Sequence, residues 1–211
     1  MKIVLLILAL CSAATIGYAQ KKAVTSTGEE VLLYEDGTWK YANEEDAEET
    51  VITTNPKTFT KSTGATFLLQ SSRAKMGVHV NSKKWSLEKQ DDPSGREYMF
   101  TRKGKDAYAM LISERIEIPL DQFPQIALSN AREVAPDVKL ESKEYRIVNG
   151  NKVLCLLMTG TMNGIKFSYF GYYFSNKSGT IQLVGFTSQN LFKEYQPEIE
   201  EFLNGLVTIN K

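Results

Sequence analysis

His79 is the only histidine of the 211-residue chain, and Cys11 and Cys155 are its only cysteines. The imidazole sits in Met76-Gly77-Val78-His79-Val80, where it could act as a ligand or a general base. A zinc site needs three or four such donors, so no metal is expected from one histidine and Cys155. A Cys155–His79 nucleophile pair can be drawn, but Cys155 lies in the apolar run Val153-Leu154-Cys155-Leu156-Leu157. A reactive thiol needs an exposed, electropositive setting, so that run points to a small core residue. Ser113-Glu114-Arg115 and Glu117 bring acids together near a strand end, and a hydrolase would use Glu114 or Glu117 for proton transfer. Ordinary solvated charges give the same pattern. The chain has no G-x-S-x-G elbow, P-loop or dinucleotide fingerprint, and Arg102-Lys103-Gly104-Lys105 lacks the glycine spacing of a phosphate cradle. No catalytic residue and no cofactor are therefore expected.

Two stretches suit binding better. Lys83, Lys84 and Trp85, with Arg73, Lys75 and Lys89 nearby, form a basic-aromatic surface for phosphate, an acidic partner or a polyanionic glycan. The competing reading has Trp85 plugging the edge of the core while the lysines stay hydrated. Phe167, Tyr169, Tyr172 and Phe174 could line a pocket between sheet and helix for a small molecule or lipid. They serve equally well as plain core.

The elements that would position these residues are legible between 138 and 187. Asn149-Gly150 and Asn163-Gly164 are hairpin turn signals, and 176–179 is a third, longer turn. Segments 138–148, 152–162, 165–174 and 180–187 then read as a four-stranded meander. Earlier strands are expected at 77–80, 97–102 and 107–116. Ile165, Phe167, Tyr169 and Tyr173 point one way, and Phe170, Tyr172 and Phe174 the other. Apolar side chains on both sides mean both faces are covered. The covers should be two helices. One starts after an Asp121 cap, turns Phe123, Ile126, Ala127, Ala131 and Val134 inward, and stops at Pro136. The other has a first turn or two around Leu191, Phe192 and Tyr195, restarts at Pro197, and ends at Gly205. The expected fold is α+β: a central antiparallel sheet with helices on both faces, preceded by a small β patch.

Lys2, an apolar stretch at 3–14 and small residues before position 20 form a secretory signal peptide. Cleavage after Ala19 is one reading. Lipidation of Cys11, in Leu8-Ala9-Leu10-Cys11, is the other; it would anchor the chain by lipid. No later window is apolar enough to span a membrane. Segment 20–42 reads as a hairpin patch around Asp36-Gly37, 43–56 as an acidic linker and 57–211 as the main domain. Residues 20–50 hold three basic and nine acidic residues, and 51–211 hold 21 and 16. The opposite signs would let the patch dock on the main domain. Over the whole chain 25 basic residues balance 25 acidic ones, which with export argues against nucleic acid. Asn176-Lys177-Ser178 matches a glycosylation acceptor that matters only in a eukaryotic pathway.

Three stretches carry a resemblance: 109–116 (Ala-Met-Leu-Ile-Ser-Glu-Arg-Ile), Tyr169-Phe170-Gly171-Tyr172-Tyr173, and 192–199 (Phe-Lys-Glu-Tyr-Gln-Pro-Glu-Ile). Their order, after the 77–85 entry, resembles the family of PsbP of photosystem II, the Ran-binding Mog proteins and exported bacterial relatives. The resemblance covers roughly 67–209 and implies an α/β/α sandwich on an antiparallel sheet. It also implies a protein that binds others or assists assemblies, without transferring any binding residue. Segment 31–41, ending Asp36-Gly37-Thr38-Trp39-Lys40-Tyr41, is similar to segments near the start of exported Bacteroidota proteins. The expected role is an exported, non-catalytic accessory or protein-interaction module of the bacterial envelope, periplasmic or secreted. Its partner would be an envelope protein. The alternatives are a small-molecule or lipid carrier and an acid-based hydrolase.

Overall fold

The computed structural model describes residues 21–24, 30–34, 39–41, 52–90 and 92–209. The signal segment, Cys11, the Asp36-Gly37 turn and the acidic run at 43–50 lie outside them. The chain divides into two compact units, 1–50 and 51–211. In the first, β1 (Lys21–Val24), β2 (Glu30–Leu33) and β3 (Trp39–Tyr41) form an antiparallel sheet in that order, with Leu33 opposite both Lys21 and Trp39.

The second unit is a mixed α+β fold with a large sheet and two helices among the described residues. It runs β4 (Thr54–Phe59), β5 (Phe67–Gln70), β6 (Met76–Val80), β7 (Trp85–Lys89), β8 (Arg96–Arg102), β9 (Tyr108–Glu114) and α1 (Phe123–Val134). It continues with β10 (Lys139–Val148), β11 (Asn151–Met162), β12 (Ile165–Asn176), β13 (Gly179–Ser188), α2 (Gln189–Leu203) and β14 (Leu206–Thr208). The eight-stranded sheet has the order β4-β10-β11-β12-β13-β9-β8-β7. Its centre is the expected meander. Asn149 (φ 48°) with Gly150 and Asn163 (φ 52°) with Gly164 take the left-handed backbone that such tight hairpins require.

Four expectations are corrected. The large sheet is not wholly antiparallel: β4 runs parallel to β10, and it starts at Thr54, inside the segment read as linker. The strand expected at 77–80 leaves that sheet and joins β5 and β14 in a separate three-stranded one. The N-cap of α1 is Gln122 rather than Asp121, with no side-chain cap bond, and Val134 is 58% exposed because the last turn carries it outward. The C-terminal helix does not break at Pro197; α2 is continuous through it. One missing N–H costs a single hydrogen bond, and Ile199, Phe202 and Leu203 are buried on that helix and hold it in place.

Opposite faces of the strands feed two separate cores. Phe123, Ala127 and Ala131 of α1 pack with Leu154, Leu156, Phe167 and Tyr173. Ile199, Phe202 and Leu203 of α2 pack with Phe170, Tyr172 and Leu183, and with Met76 and Val78 of the small sheet. Gly185 permits the second contact, since a Cβ there would collide with Ile199. Gly205, read as a helix stop, serves close approach instead: its carbonyl accepts the His79 N–H at 2.8 Å, and a Cβ would strike the His79 carbonyl.

Candidate functional site

A cleft of about 370 Å³ opens between α1 and the large sheet. Its floor follows from strand register, because cross-strand partners share a face. Met158, Tyr169, Phe186 and Tyr108 form one row across β11, β12, β13 and β9. Leu154, Tyr173, Gln182 and Ile112 form another, which Arg96 of β8 extends. The roof is α1, which lines the cleft with Ala127, Asn130, Ala131, Glu133 and Val134, of which only the two alanines are buried. Two methyl groups cannot fill what leucines would fill, so space remains.

The polar groups of the cleft are its second feature. Tyr173 is 2% exposed and Gln182 8%, and both line the space. Neither side chain hydrogen-bonds to another described residue, and the same holds for the Tyr169 hydroxyl. None of these groups is among the fully buried atoms left without a partner, so their polar ends open onto the cleft and can bond to what enters it. Burial pushes the Tyr173 and Tyr169 phenols up, so both stay neutral donors at physiological pH. Tyr169 is braced by Phe167 at 4.4 Å and by Phe186 edge-on at 5.5 Å.

The sequence-derived candidates separate. Phe167 and Tyr169 come together on the α1 side. Tyr172 and Phe174 lie on the opposite side. There Tyr172 accepts from Arg146 Nη1 at 2.8 Å and donates to Asn204 Oδ1 at 3.0 Å. Arg146 also bonds Glu144 (2.5 Å) and Glu200 (2.9 Å), tying α2 to the sheet. Trp85 is 3% exposed and packs on Phe202 at 4.6 Å. Lys84 pairs with Glu201 at 2.6 Å, and Lys83 is exposed.

The chemical candidates do not assemble. Burial pushes the Cys155 thiol up to about 12, which leaves it protonated and unreactive. His79 lies on β6 with Nδ1 buried and unbonded, and burial followed by the Lys61 charge lowers its pKa. Glu114 ends β9 on the cleft wall, and Glu117 is exposed beyond it. No group of three or more His, Cys, Asp or Glu among the described residues could hold a metal ion. No helix among them is long and apolar enough to cross a membrane. Tyr173 and Gln182 escaped the sequence reading, although Tyr173 shares the strand face of Tyr169.

No protein-family model matches the chain, and no curated protein matches it. Solved structures do. The solution structure of cyanobacterial PsbP (CyanoP) from Synechocystis superposes with a TM-score of 0.52 at 11% identity, covering 70% of this chain and 94% of that one. A protein of unknown function from Pseudomonas aeruginosa, described as a regulator, gives 0.44 at 11% identity over 69% and 98%. LpqN of Mycobacterium tuberculosis, described as involved in cell envelope biogenesis, gives 0.46 at 11% identity over 68% and 90%. The superposition on PsbP shows a PsbP-like fold.

Proposed function

We propose that this chain is an exported, non-catalytic accessory module of the bacterial envelope that works by binding a small, partly apolar ligand in the α1 cleft. The observation that carries the reading is the pair Tyr173 and Gln182, which line the cleft with polar ends that open onto it and have no internal hydrogen-bond partner. Met110, Ile112, Met158 and Val184 supply the apolar wall, and Tyr169 is the half-buried aromatic contact. Pockets of this size and mixture suit small molecules. The fold is read as a sandwich, α1 over one face and α2 with the small sheet over the other. The domain scheme keeps a signal peptide at 1–19, a β patch at 20–42 and a linker from 43, and the main domain, read as 57–211, takes in β4 from Thr54. Cleavage after Ala19 frees the chain, and lipidation of Cys11 would anchor it instead.

The test is native mass spectrometry of protein isolated from its own host envelope. A dissociable mass increment is expected, and it should vanish in Ala131→Leu. A bare mass in gently prepared wild-type protein would overturn the carrier reading. A second reading, docking of an envelope protein, rests on the half-buried row Tyr169, Phe186 and Tyr108, with rings stacked at 5.5 Å between Tyr108 and Phe186. Site-specific crosslinking from position 108 should then recover one defined protein; recovery of only abundant proteins would count against it.

A further inference from the structure

A second cavity, of about 450 Å³, adjoins the cleft and shares Ser94 and Glu114 with it as walls. It differs in character, being lined by Arg73 and Arg115. Neither arginine has an ion-pair partner among the described residues. Arg73 is held in place: its Nη1 donates to the Ser113 carbonyl at 3.2 Å. Gly95, at φ +89°, lies against it, and a Cβ there would be 3.2 Å from Nη1. One fixed hydrogen bond leaves most of the five guanidinium N–H donors available. A third cation stands at the same end. Arg96 extends the cleft row beside Ile112, its guanidinium bonds Asp92, and its Nε is buried with no partner. Against these stand Glu114 on the shared wall, Glu133 on the α1 side of the cleft and Asp92, which Arg96 engages. Charges balance over the two spaces together, and the two cations without a carboxylate partner are the ones that line the second cavity.

We propose that the ligand is an amphiphile with an anionic carboxylate head, its apolar tail under α1 and its head between Arg73 and Arg115. The assignment rests on the α1 cleft being the binding site. A guanidinium fork pairs with a carboxylate in two parallel bonds, which a neutral head cannot reproduce. A neutral amphiphile would use the tyrosines and Gln182 alone and leave the arginines idle.

Calorimetric titration of the purified full chain with decanoate, decanol and decylamine tests this. Decanoate should bind more tightly than decanol, and decylamine most weakly. Arg73→Gln and Arg115→Gln should each weaken decanoate about tenfold, as loss of a charge-assisted hydrogen bond does, and leave decanol unchanged. Glu114→Gln should tighten decanoate, a gain that damage to the fold would not produce. Equal binding of decanoate and decanol, indifferent to all three substitutions, overturns the head-group assignment and leaves the cleft standing. Binding of none of the probes, or decanoate binding that survives Ala131→Leu, overturns both.

Discussion

Ala131→Leu separates an open cleft from a packed core because the two predict opposite signs for stability. Ala131 is buried on the inner face of α1 and borders about 370 Å³ of space. Leucine adds three carbons there. At about 0.8 kcal/mol per buried carbon, the gain approaches 2.4 kcal/mol. Fixing the new side chain costs about 0.5–1 kcal/mol, and the helix propensities of alanine and leucine are close. The net is a stabilisation of about 1.5 kcal/mol. For a domain of this size that raises the melting temperature by roughly 3–6 °C. Thermal unfolding followed by circular dichroism measures it, and native mass spectrometry on the same samples should show the bound species gone. A fall of several degrees would mean that the leucine meets packed atoms, as overpacking of a dense core does. The cleft would then not exist, and the functional reading would go with it. A rise with ligand binding intact would place the ligand elsewhere.

Gly185→Ala should destabilise by about 1–3 kcal/mol, seen as a lower urea midpoint, because the new methyl drives Ile199 and α2 off the sheet; an unchanged midpoint would refute that close contact. Glu97 gives the acid limb of stability. Burial raises its pKa, but hydrogen bonds from Ser113, Ser71 and Ser72 outweigh that and hold the carboxyl below its ordinary value of 4.5. The folded form therefore binds fewer protons than the unfolded one. The contribution is full above the unfolded pKa and drains away as pH falls through the folded one. Glu97→Gln should flatten this part of the curve below about pH 4.5, while a slope unchanged from wild type would show that other carboxylates set it. Cys155 should resist iodoacetamide in native protein at neutral pH and react fully in urea; rapid native labelling would contradict its burial.

The meander was legible because its turns are chemical. Asn149-Gly150 and Asn163-Gly164 demand positive φ, and each hairpin follows locally from them. The pleat also assigned faces correctly, with Phe167, Tyr169 and Tyr173 on one and Phe170, Tyr172 and Phe174 on the other. What sequence does not carry is long-range pairing. Thr54–Phe59 contains Pro56 and no apolar alternation, and it becomes a strand only because β10 offers it a parallel edge. Met76–Val80 reads as a strand, but nothing within it says that its partners are 67–70 and 206–208. The candidate pocket drew Phe167 and Tyr169 from one face and Tyr172 and Phe174 from the other. No single cavity can use both sets, and the strand period alone could have shown that. Gln182 and Arg96 had no signal, since their place beside Tyr173 is a matter of register between strands distant in the chain.

The two faces of β12 differ in how each treats its polar groups. On the α2 face Arg146 and Asn149 tie the sheet to the helix. The Arg146 guanidinium is shared among Glu144, Glu200 and Tyr172 and lies 4.5 Å from the centre of the Phe59 ring. Asn149 Nδ2 donates to the Asn204 and Leu206 carbonyls, both at 2.8 Å. Such a network holds α2 in one position. On the α1 face alanines stand where large side chains could, and hydroxyl and amide groups open onto the cleft without an internal partner. Gly171, where a Cβ would press on Val184 at 3.0 Å and the Tyr173 ring at 3.2 Å, keeps the floor of that face low. Both features forgo stability that a packed apolar core would supply. A chain that needed α1 only as a cover could have avoided both with leucine and phenylalanine. The rigid face bears the stability of the fold, so the other can keep open the space that a ligand requires.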